Sequence, residues 1–247
     1  MKVTILGSGA SYGIPSISRG YGDCDPTTPE NNRTRCGLLV QTEQTTVLFD
    51  TGPEIRLQLV RAGIKRIDAV VYTHSHQDHM AGAGDLVSLL KDKPLPVYIS
   101  GYHQDKFKGL VPYLLNPNGL KIQTIEEYKP FKINELEIVP ILQNHGQDWS
   151  MGFKIGQFAY STDVLTMEQK GFDLLRGIKT WVLGVTTREP SNKHVCLPEA
   201  LKWIDDIHPE RVYLTHMGTR MDYNTLCNEL PSHVRPGYDG FSFNCEV

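Results

Sequence analysis

The sequence predicts a mixed α/β (α+β) protein in which β-sheets are covered by helices. In both halves of the chain, hairpin-forming segments come first and strands that alternate with helices follow, an order typical of sheets with helices packed on them. The length of 247 residues and the lack of repeats or linker-like stretches predict one domain over residues 1–247. In such folds, ligands collect beyond the carboxyl ends of strands.

The first half of the chain contains short apolar runs that end at turn residues. These runs are rich in β-branched residues, which predicts strands, and the second and third form a hairpin through a polar turn. Apolar residues at helical spacing after Pro53 predict a helix that Gly63 ends, and a further helix is predicted over Leu86–Leu90. The predicted strands are Val3–Leu6, Leu38–Gln41, Val47–Phe49, Ala69–Tyr72 and Val97–Ser100.

The second half repeats this arrangement. The helix predicted over Pro198–Ile207 lies between two apolar strands, which gives a β–α–β unit. The predicted strands are Leu136–Leu142, Phe158–Ser161, Trp181–Leu183, Val212–Thr215 and Phe241–Cys245.

The composition indicates a globular protein of the cytoplasm. Hydrophobic residues make up 40% and charged residues 21% of the chain, which argues against disorder. A net charge of −3 argues against a strongly basic nucleic-acid binder. The five cysteines are scattered without CxxC spacing and indicate reduced thiols. The first apolar run is too short for a signal peptide, and no later run reaches the length of a membrane span.

The strongest local signal is a cluster of metal-binding residue types in Thr73–His79, directly after an apolar strand. In an extended segment, His74 and His76 point the same way because side chains alternate, so they can hold one ion together. If a helix begins near Asp78, its carboxylate and His79 turn toward a second position. Imidazole and carboxylate ligands suit zinc, manganese or iron better than calcium. The alternative, a solvated polar turn, gives no reason for three histidines and an aspartate.

Three single residues extend this pattern, because His145, Asp163 and His216 each follow a predicted strand. Taken alone, each is more simply read as a hydrogen-bonded polar residue. Together with the cluster they supply seven ligands, which two ions need if one carboxylate bridges them and a hydroxide completes the shells. Two ions about 3.5–4 Å apart can clamp the attacking and leaving oxygens of an in-line displacement.

These motifs carry a family resemblance. The segment THSHQDHMAG resembles the HxHxDH signature of the metallo-β-lactamase superfamily, and Leu48–Gly52 resembles its preceding strand-end motif. Leu6–Pro15 and Tyr238–Gly240 are similar to the narrower PhnP-like phosphodiesterase branch, which is related to tRNase Z. The resemblance runs over essentially the whole chain. It implies the metallo-β-lactamase fold, a four-layer αββα sandwich of two mixed sheets flanked by helices.

The resemblance also implies a role for each site residue and two divalent transition-metal ions, Zn²⁺ or Mn²⁺, with no organic cofactor. Asp50 would hold a ligand or loop in place, although a plain turn carboxylate stays an alternative. By the resemblance, one metal would be held by His74, His76 and His145, the other by Asp78, His79 and His216, with Asp163 as the bridge.

A further histidine, His194, lies in the loop before the Pro198–Ile207 helix. PhnP-like enzymes and tRNase Z carry a histidine in a comparable place that is not a metal ligand. It would protonate the leaving oxygen while a metal-bridged hydroxide attacks phosphorus, a role suited to a group that titrates near neutral pH. His194 and Asp78 are therefore the catalytic candidates. A capping or surface histidine is the alternative reading of His194.

Other charged and titratable residues receive simpler interpretations. Arg33 and Arg35 could reach a phosphate, since guanidinium matches phosphate oxygens, and a solvated loop face is an equal alternative. His103 and His233 are expected to face solvent.

The leading functional hypothesis is a phosphodiesterase acting on small cyclic or nucleotide-like diesters. The early loop offers only Cys24 and Cys36 for the structural zinc of PhnP, and Gly184 stands where relatives often carry an acid. Both departures weaken any claim to PhnP's own cyclic phosphoribose substrate. The alternatives are a tRNase Z-like RNA-processing endonuclease and a metal-binding relative without catalysis. Structured RNA is the less favoured substrate, no membrane partner is expected, and a homodimer stays open.

Overall fold

The computed structural model describes residues 1–90 and 93–246. Short 3₁₀ helices cover Pro29–Asn31, Ala81–Leu89 and Pro112–Leu114. The α-helices are α1 (Ile55–Arg61), α2 (Gln77–Met80), α3 (Gln104–Leu110), α4 (Gln169–Leu175), α5 (Leu197–Ile207) and α6 (Tyr223–Glu229). The strands are β1 (Lys2–Gly7), β2 (Gly37–Gln41), β3 (Thr46–Phe49), β4 (Ala69–Val71), β5 (Leu95–Ser100), β6 (Leu120–Ile125), β7 (Phe131–Ile133), β8 (Leu136–His145), β9 (Asp148–Ile155), β10 (Phe158–Ser161), β11 (Thr166–Met167), β12 (Thr180–Gly184), β13 (Arg211–Thr215), β14 (Val234–Pro236) and β15 (Ser242–Asn244).

The strands form two mixed sheets. In the part of the chain that the structure describes, one sheet has the order β15-β1-β2-β3-β4-β5-β6, and the other has the order β11-β8-β9-β10-β12-β13-β14, with β7 paired to β8. The strands from β3 to β6 run parallel to one another, as do β10, β12, β13 and β14. The carboxyl ends of these parallel strands are where the candidate site residues follow.

Three apolar cores separate four layers. The middle core lies between the sheets, where the rings of Phe49 and Phe153 have centroids 5.3 Å apart. A second core packs α5 against the second sheet through Trp203 and Ile204. A third packs α1 and the Ala81–Leu89 helix against the first sheet. The predicted αββα sandwich of two mixed sheets is therefore confirmed. Burial of these apolar faces is the main stabilising contribution, at about 25 cal/mol per Å².

Helix α5 illustrates how the sequence produces these layers. Pro198 fits its first turn, where no backbone hydrogen bond is lost. The helix ends at His208, which adopts the left-handed conformation with φ 56°. Its buried residues recur at helical spacing and form one apolar stripe: Leu197, Ala200, Trp203, Ile204 and Ile207.

Most predicted elements occur in the structure with shifts at their ends. The segment Leu86–Leu90 was predicted to lie in a helix, and in the structure its first four residues form the end of the 3₁₀ helix Ala81–Leu89. Strand β8 continues to His145, so this histidine ends the strand instead of following it. Within residues 1–90 and 93–246, every helix is too short or too polar to cross a membrane.

Candidate metal centre

The histidine-rich segment lies directly after the central strand β4. Residues up to His76 are extended (φ −70°, ψ 152° at His76), and α2 then begins at Gln77. The change from extended chain to helix turns the next two candidate ligands, Asp78 and His79, away from His74 and His76. One short segment thereby supplies two groups of ligands.

The first group consists of His74, His76 and His145, whose ligand atoms lie within 4.8 Å of one another. Nε2 of His145 is 3.3 Å from Nδ1 of His76. Two ligands that are each about 2.0–2.1 Å from a tetrahedral zinc lie about 3.3–3.4 Å apart. The separation therefore suits two ligands of one ion.

The second group consists of Asp78, His79, Asp163 and His216, again within 4.8 Å. Oδ2 of Asp78 lies 3.3 Å from Nε2 of His79 and 3.4 Å from Nε2 of His216. Oδ2 of Asp163 lies 3.0 Å from Nε2 of His79. These four side chains come from α2 and from the ends of β10 and β13.

Asp163 connects the two groups. Its Oδ1 atom lies 3.6 Å from Nε2 of His145 and 3.4 Å from Nε2 of His216. Burial alone would raise the pKa of Asp163, but the charges of His216 and His79 lower it well below its usual range. The carboxylate is therefore ionised and placed to contact ions in both groups.

The buried polar atoms also fit metal ions. Among the described residues, Nε2 of His74 is buried without a hydrogen-bond partner, and such an orphaned atom is costly unless something binds it. Burial would lower the pKa of His79, but the carboxylates of Asp163, Asp78 and Asp50 raise it well above its usual range. This concentration of carboxylates favours cations at the same place.

Four of the candidate histidines are oriented alike by contacts on their far side. Nδ1 of His79 donates to Oδ2 of Asp50 at 2.7 Å, and Nδ1 of His145 donates to the Lys193 carbonyl at 2.9 Å. Nδ1 of His74 lies 3.0 Å from Thr73 Oγ1, and Nδ1 of His216 lies 2.9 Å from Thr186 Oγ1. With Nδ1 engaged in this way, Nε2 of each of these four histidines faces the centre as the atom available to a metal.

His76 has the opposite orientation. Its Nδ1 faces His145, and its Nε2 lies 3.4 Å from Oδ2 of Asp148. Asp148 therefore orients His76 from its far side, as Asp50, a carbonyl or a hydroxyl orients each of the other four histidines.

Backbone strain coincides with this centre. Asp50, Asp163 and His216 each adopt a left-handed conformation, with φ of 63°, 51° and 54°. Non-glycine residues enter this region at a cost, and such residues cluster at functional sites. Each of the three lies one or two residues beyond the end of a strand, where a sharp reversal turns its side chain inward.

His194 lies beside both groups of ligands. Its ring stacks on His216 with centroids 5.1 Å apart, and its Nδ1 is 3.8 Å from Oδ1 of Asp163. Burial, and then the nearby charge of His216, lower the pKa of His194 to about 3. The backbone of the preceding residue, Lys193, holds His145, so the loop that carries His194 is tied to the first group of ligands.

The predicted arginines lie in different surroundings. Arg33 is only 2% exposed, and its guanidinium donates to the Glu30 carbonyl and to Oδ1 of Asn31. The structure does not bring Arg33 to the centre, because its side chain is enclosed within the early loop. Arg35 is half-buried and pairs with Glu54 at 2.8 Å.

His103 corrects an expectation, because it is buried and does not face solvent. Burial lowers its pKa, which favours a neutral ring. Its Nε2 donates to the Trp149 carbonyl at 3.0 Å, and its Nδ1 lies 3.0 Å from Oγ of Ser75. His103 therefore ties the ligand loop to the start of β9. The polar residue Ser75 between two candidate ligands was the only sequence signal for such a partner.

A cavity of about 640 Å³ opens beside His194. One wall comes from the loop of residues 10–19, and the other from Thr186, Thr187, Glu189 and residues 218–220. The arginines at this cavity are Arg19 and Arg220.

Comparison with known proteins gives a consistent picture. A sequence model described as the beta-lactamase superfamily domain matches residues 45–217. A solved structure described as a new diphosphatase from the PhnP family shares 27% sequence identity and a TM-score of 0.94, covering 100% of this chain and 98% of that one. The short form of human tRNase Z has a TM-score of 0.71 at 18% identity, with both chains fully covered, and so shares the fold.

Curated relatives are longer than this chain. An octanoyltransferase from Porphyromonas gingivalis is 30% identical over 97% of this chain, which spans 51% of that protein. A ribonuclease Z from Clostridium kluyveri is 27% identical over 64% of this chain and 52% of its own length. The chain thus spans about half the length of these two relatives.

Proposed function

Because this chain belongs to the metallo-β-lactamase superfamily and is similar over its whole length to a PhnP-family diphosphatase, we propose that it is a dinuclear metal-dependent hydrolase of small cyclic or nucleotide-like phosphodiesters. One observation carries the proposal. The carboxylate of Asp163 lies between two groups of ligands, and His194, which belongs to neither of those two groups but lies within ligand distance of His145 and Asp163, stands 3.8 Å from the same carboxylate. A bridged pair of ions with a proton donor beside it is suited to in-line displacement at phosphorus.

The candidate ligands are proposed to hold two metal ions. Two divalent transition metals, Zn²⁺ or Mn²⁺, would polarise the phosphoryl oxygen and lower the pKa of water. Asp78 belongs to the second group, where its carboxylate lies close to Nε2 of both His79 and His216. The ions would be held by His74, His76 and His145 on one side and by Asp78, His79 and His216 on the other, with Asp163 as the bridge.

His194 is proposed to carry the proton to the leaving oxygen. Its pKa of about 3 makes it neutral at physiological pH before substrate binds. An opposite charge within a few ångströms favours the protonated form of an imidazole. A bound phosphodiester anion would therefore raise the pKa of His194 toward the range in which the ring can carry a proton.

A second candidate function is tRNase Z-like cleavage of precursor RNA. The similarity to ribonuclease Z proteins favours it, whereas the net charge of −3 does not suit tracking of an RNA backbone. The chain spans only half of the octanoyltransferase to which it is similar, and its centre is built from candidate metal ligands, which suit hydrolysis better than octanoyl transfer.

The test combines metal analysis with a substrate screen. Protein purified without chelator should contain about two transition-metal ions per chain. It should hydrolyse bis(p-nitrophenyl) phosphate with a higher kcat/KM than either p-nitrophenyl phosphate or a pre-tRNA. Protein stripped with chelator and reloaded with Zn²⁺ or Mn²⁺ serves as the control. Fewer than one ion per chain after reloading would contradict the dinuclear site, and equal kcat/KM on pre-tRNA would favour the second candidate.

A further inference from the structure

We infer that the cavity beside His194 receives the leaving half of the substrate, and that Arg19 and Tyr12 select a leaving half that is itself a nucleotide. This inference rests on the proposed function, because it uses His194 as the proton donor. It names what the proposed phosphodiesterase releases: an alcohol that carries an aromatic base and a second phosphate.

The position of the cavity supports the assignment. In hydrolysis, water gives up a proton and its oxygen bonds to phosphorus, the bond from phosphorus to the leaving oxygen breaks, and the leaving oxygen takes a proton from the general acid. The donor must touch that oxygen, so the leaving half begins at His194. Because His194 forms part of the cavity wall, the rest of the leaving half extends into the cavity.

The size of the cavity indicates a large leaving half. Its volume of about 640 Å³ lies within the range of about 300–1,000 Å³ typical of sites for drug-sized ligands. A small alcohol would leave most of this space to water, whereas a nucleotide would occupy much more of it.

The charges of the cavity indicate an anionic ligand. Arg220 is paired with Glu189 at 2.6 Å, so its charge is largely balanced. The guanidinium of Arg19 has no hydrogen-bond or ion-pair partner among the residues that the structure describes, and it lines the same cavity. Guanidinium donates two parallel hydrogen bonds to phosphate oxygens, so Arg19 is suited to a phosphate on the leaving half.

Arg19 is held in place by a short hairpin. Ser16 and Gly20 exchange backbone hydrogen bonds of 2.8 and 2.9 Å, and the backbone N–H of Arg19 donates to Oγ of Ser16 at 3.2 Å. Gly20 has φ 56°, a conformation that glycine adopts without strain. The backbone of Arg19 is thus fixed before substrate binds, which reduces the entropy lost on binding.

Tyr12 supplies an aromatic surface. It lines the cavity with 80% of its side chain exposed. Stacking of a base on an aromatic ring is a common means of nucleotide binding and tolerates different bases. The hydroxyls of Ser11, Ser18 and Thr187 line the same space and suit a sugar. The combination of ring, hydroxyls and cation indicates a nucleoside monophosphate.

The experiment compares dithymidine monophosphate with the same dinucleotide carrying one terminal phosphate, at its 5′ or its 3′ end. If the leaving half carries the terminal phosphate, the products are two thymidine monophosphates. If the other half carries it, the products are thymidine and a thymidine bisphosphate. We expect metal-loaded wild-type protein to give two monophosphates, with a kcat/KM about ten-fold to a hundred-fold above that for the unphosphorylated dinucleotide, as a charge-assisted hydrogen bond would give.

Variants identify the residues. Arg19→Gln should remove the preference for the terminal phosphate, mainly through KM, and Arg56→Gln, an exposed arginine on α1, should retain it. Tyr12→Phe should retain binding of all three dinucleotides, and Tyr12→Ala should weaken it. Release of free thymidine from the phosphorylated substrates, or an unchanged preference in Arg19→Gln, would overturn the inference. In that case hydrolysis of bis(p-nitrophenyl) phosphate would still support the proposed function, and its absence would contradict the proposed function itself.

Discussion

Oδ2 of Asp50 lies 2.7 Å from Nδ1 of His79, and both side chains are fully buried. The same carboxylate accepts hydrogen bonds from the backbone N–H and the hydroxyl of Thr73, each at 2.8 Å. Asp50 thus joins the end of β3 to the end of β4 and to α2. It also fixes the tautomer of His79, whose Nε2 then faces Asp163.

We predict that Asp50→Asn weakens metal binding about ten-fold to a hundred-fold, the usual effect of losing a partner of a metal-binding histidine. Asparagine tolerates the left-handed conformation that Asp50 adopts (φ 63°), so the substitution removes charge without adding backbone strain. Competition with a chromogenic chelator would measure the Kd, and Asp85→Asn, at an exposed carboxylate, provides the control. Equal affinity in Asp50→Asn and the wild type would show that Asp50 only supports the turn.

If Asp163 bridges the two ions, its removal should weaken the binding of both, whereas removal of another ligand should weaken mainly one. Asp163→Ala should reduce metal content at both positions, because Asp163 contacts His145 of one group and His79 and His216 of the other. His76→Ala should mainly lose the ion of the first group. Titration of stripped protein with Zn²⁺, followed by calorimetry, would count the sites. Retention of one tight site in Asp163→Ala would exclude the bridge.

The elements that the sequence predicted well are those whose pattern is local. Strand β4 and helix α5 show continuous or periodic apolar residues, so they could be located from neighbouring residues alone. Strand β9 was not predicted, since Asp148–Ile155 is interrupted by Gly152 and depends on its pairing with β8. A helix was predicted at Leu86–Leu90 without its type, because single-sequence patterns do not distinguish a 3₁₀ helix, as found over Ala81–Leu89, from an α-helix.

The residues of the candidate site were likewise predicted well only where the sequence signal is local. The cluster in Thr73–His79 stands out because its ligands are close in sequence, whereas His103 enters through contacts with Ser75 and with the Trp149 carbonyl, 46 residues away. Arg33 was predicted to contact a phosphate of the substrate because its guanidinium is charged. Its enclosure by Glu30 and Asn31 depends on how the early loop folds on itself, which composition does not reveal.

Asp222 should make stability depend on pH. It caps α6 and accepts hydrogen bonds from the backbone N–H groups of Thr225 and Asp25 and from Nδ2 of Asn31. Burial opposes its ionisation, but these bonds lower the pKa of Asp222 to about 2. Since an unfolded aspartate has a pKa of about 3.9, the stabilisation is complete above about pH 4 and is lost as the pH falls through about 2.

We therefore predict that Asp222→Ala lowers the free energy of unfolding by about 0.5–2 kcal/mol at pH 7, as for other helix caps. The difference from wild type should narrow as the pH falls from 4 toward 2. Urea unfolding at several pH values would measure both quantities, with Asp23→Ala, at an exposed carboxylate, as the control. A difference that is constant with pH would mean that the variant acts through packing instead of charge.

His194→Ala should separate proton transfer from metal binding. The ring of His194 stacks on His216 and approaches Asp163, yet the variant should keep its metal ions and its fold, because all seven residues of the two ligand groups remain. Its rate on a dinucleotide, whose leaving alkoxide needs a proton, should fall by about a hundred-fold to ten-thousand-fold. Its rate on bis(p-nitrophenyl) phosphate should fall much less, because p-nitrophenolate leaves well unprotonated.

The comparison of these two leaving groups is what makes the His194 prediction specific. A ligand variant such as His76→Ala removes part of the first group and should lose metal and activity on both substrates. His194→Gln keeps a polar side chain without a titrating ring. Its rates should resemble those of His194→Ala if His194 transfers a proton, and those of the wild type if His194 binds the phosphate. Steady-state rates and metal content of the three variants would be measured together. An equal loss on both substrates would show that His194 orients the phosphate, and a loss of metal would place it among the ligands.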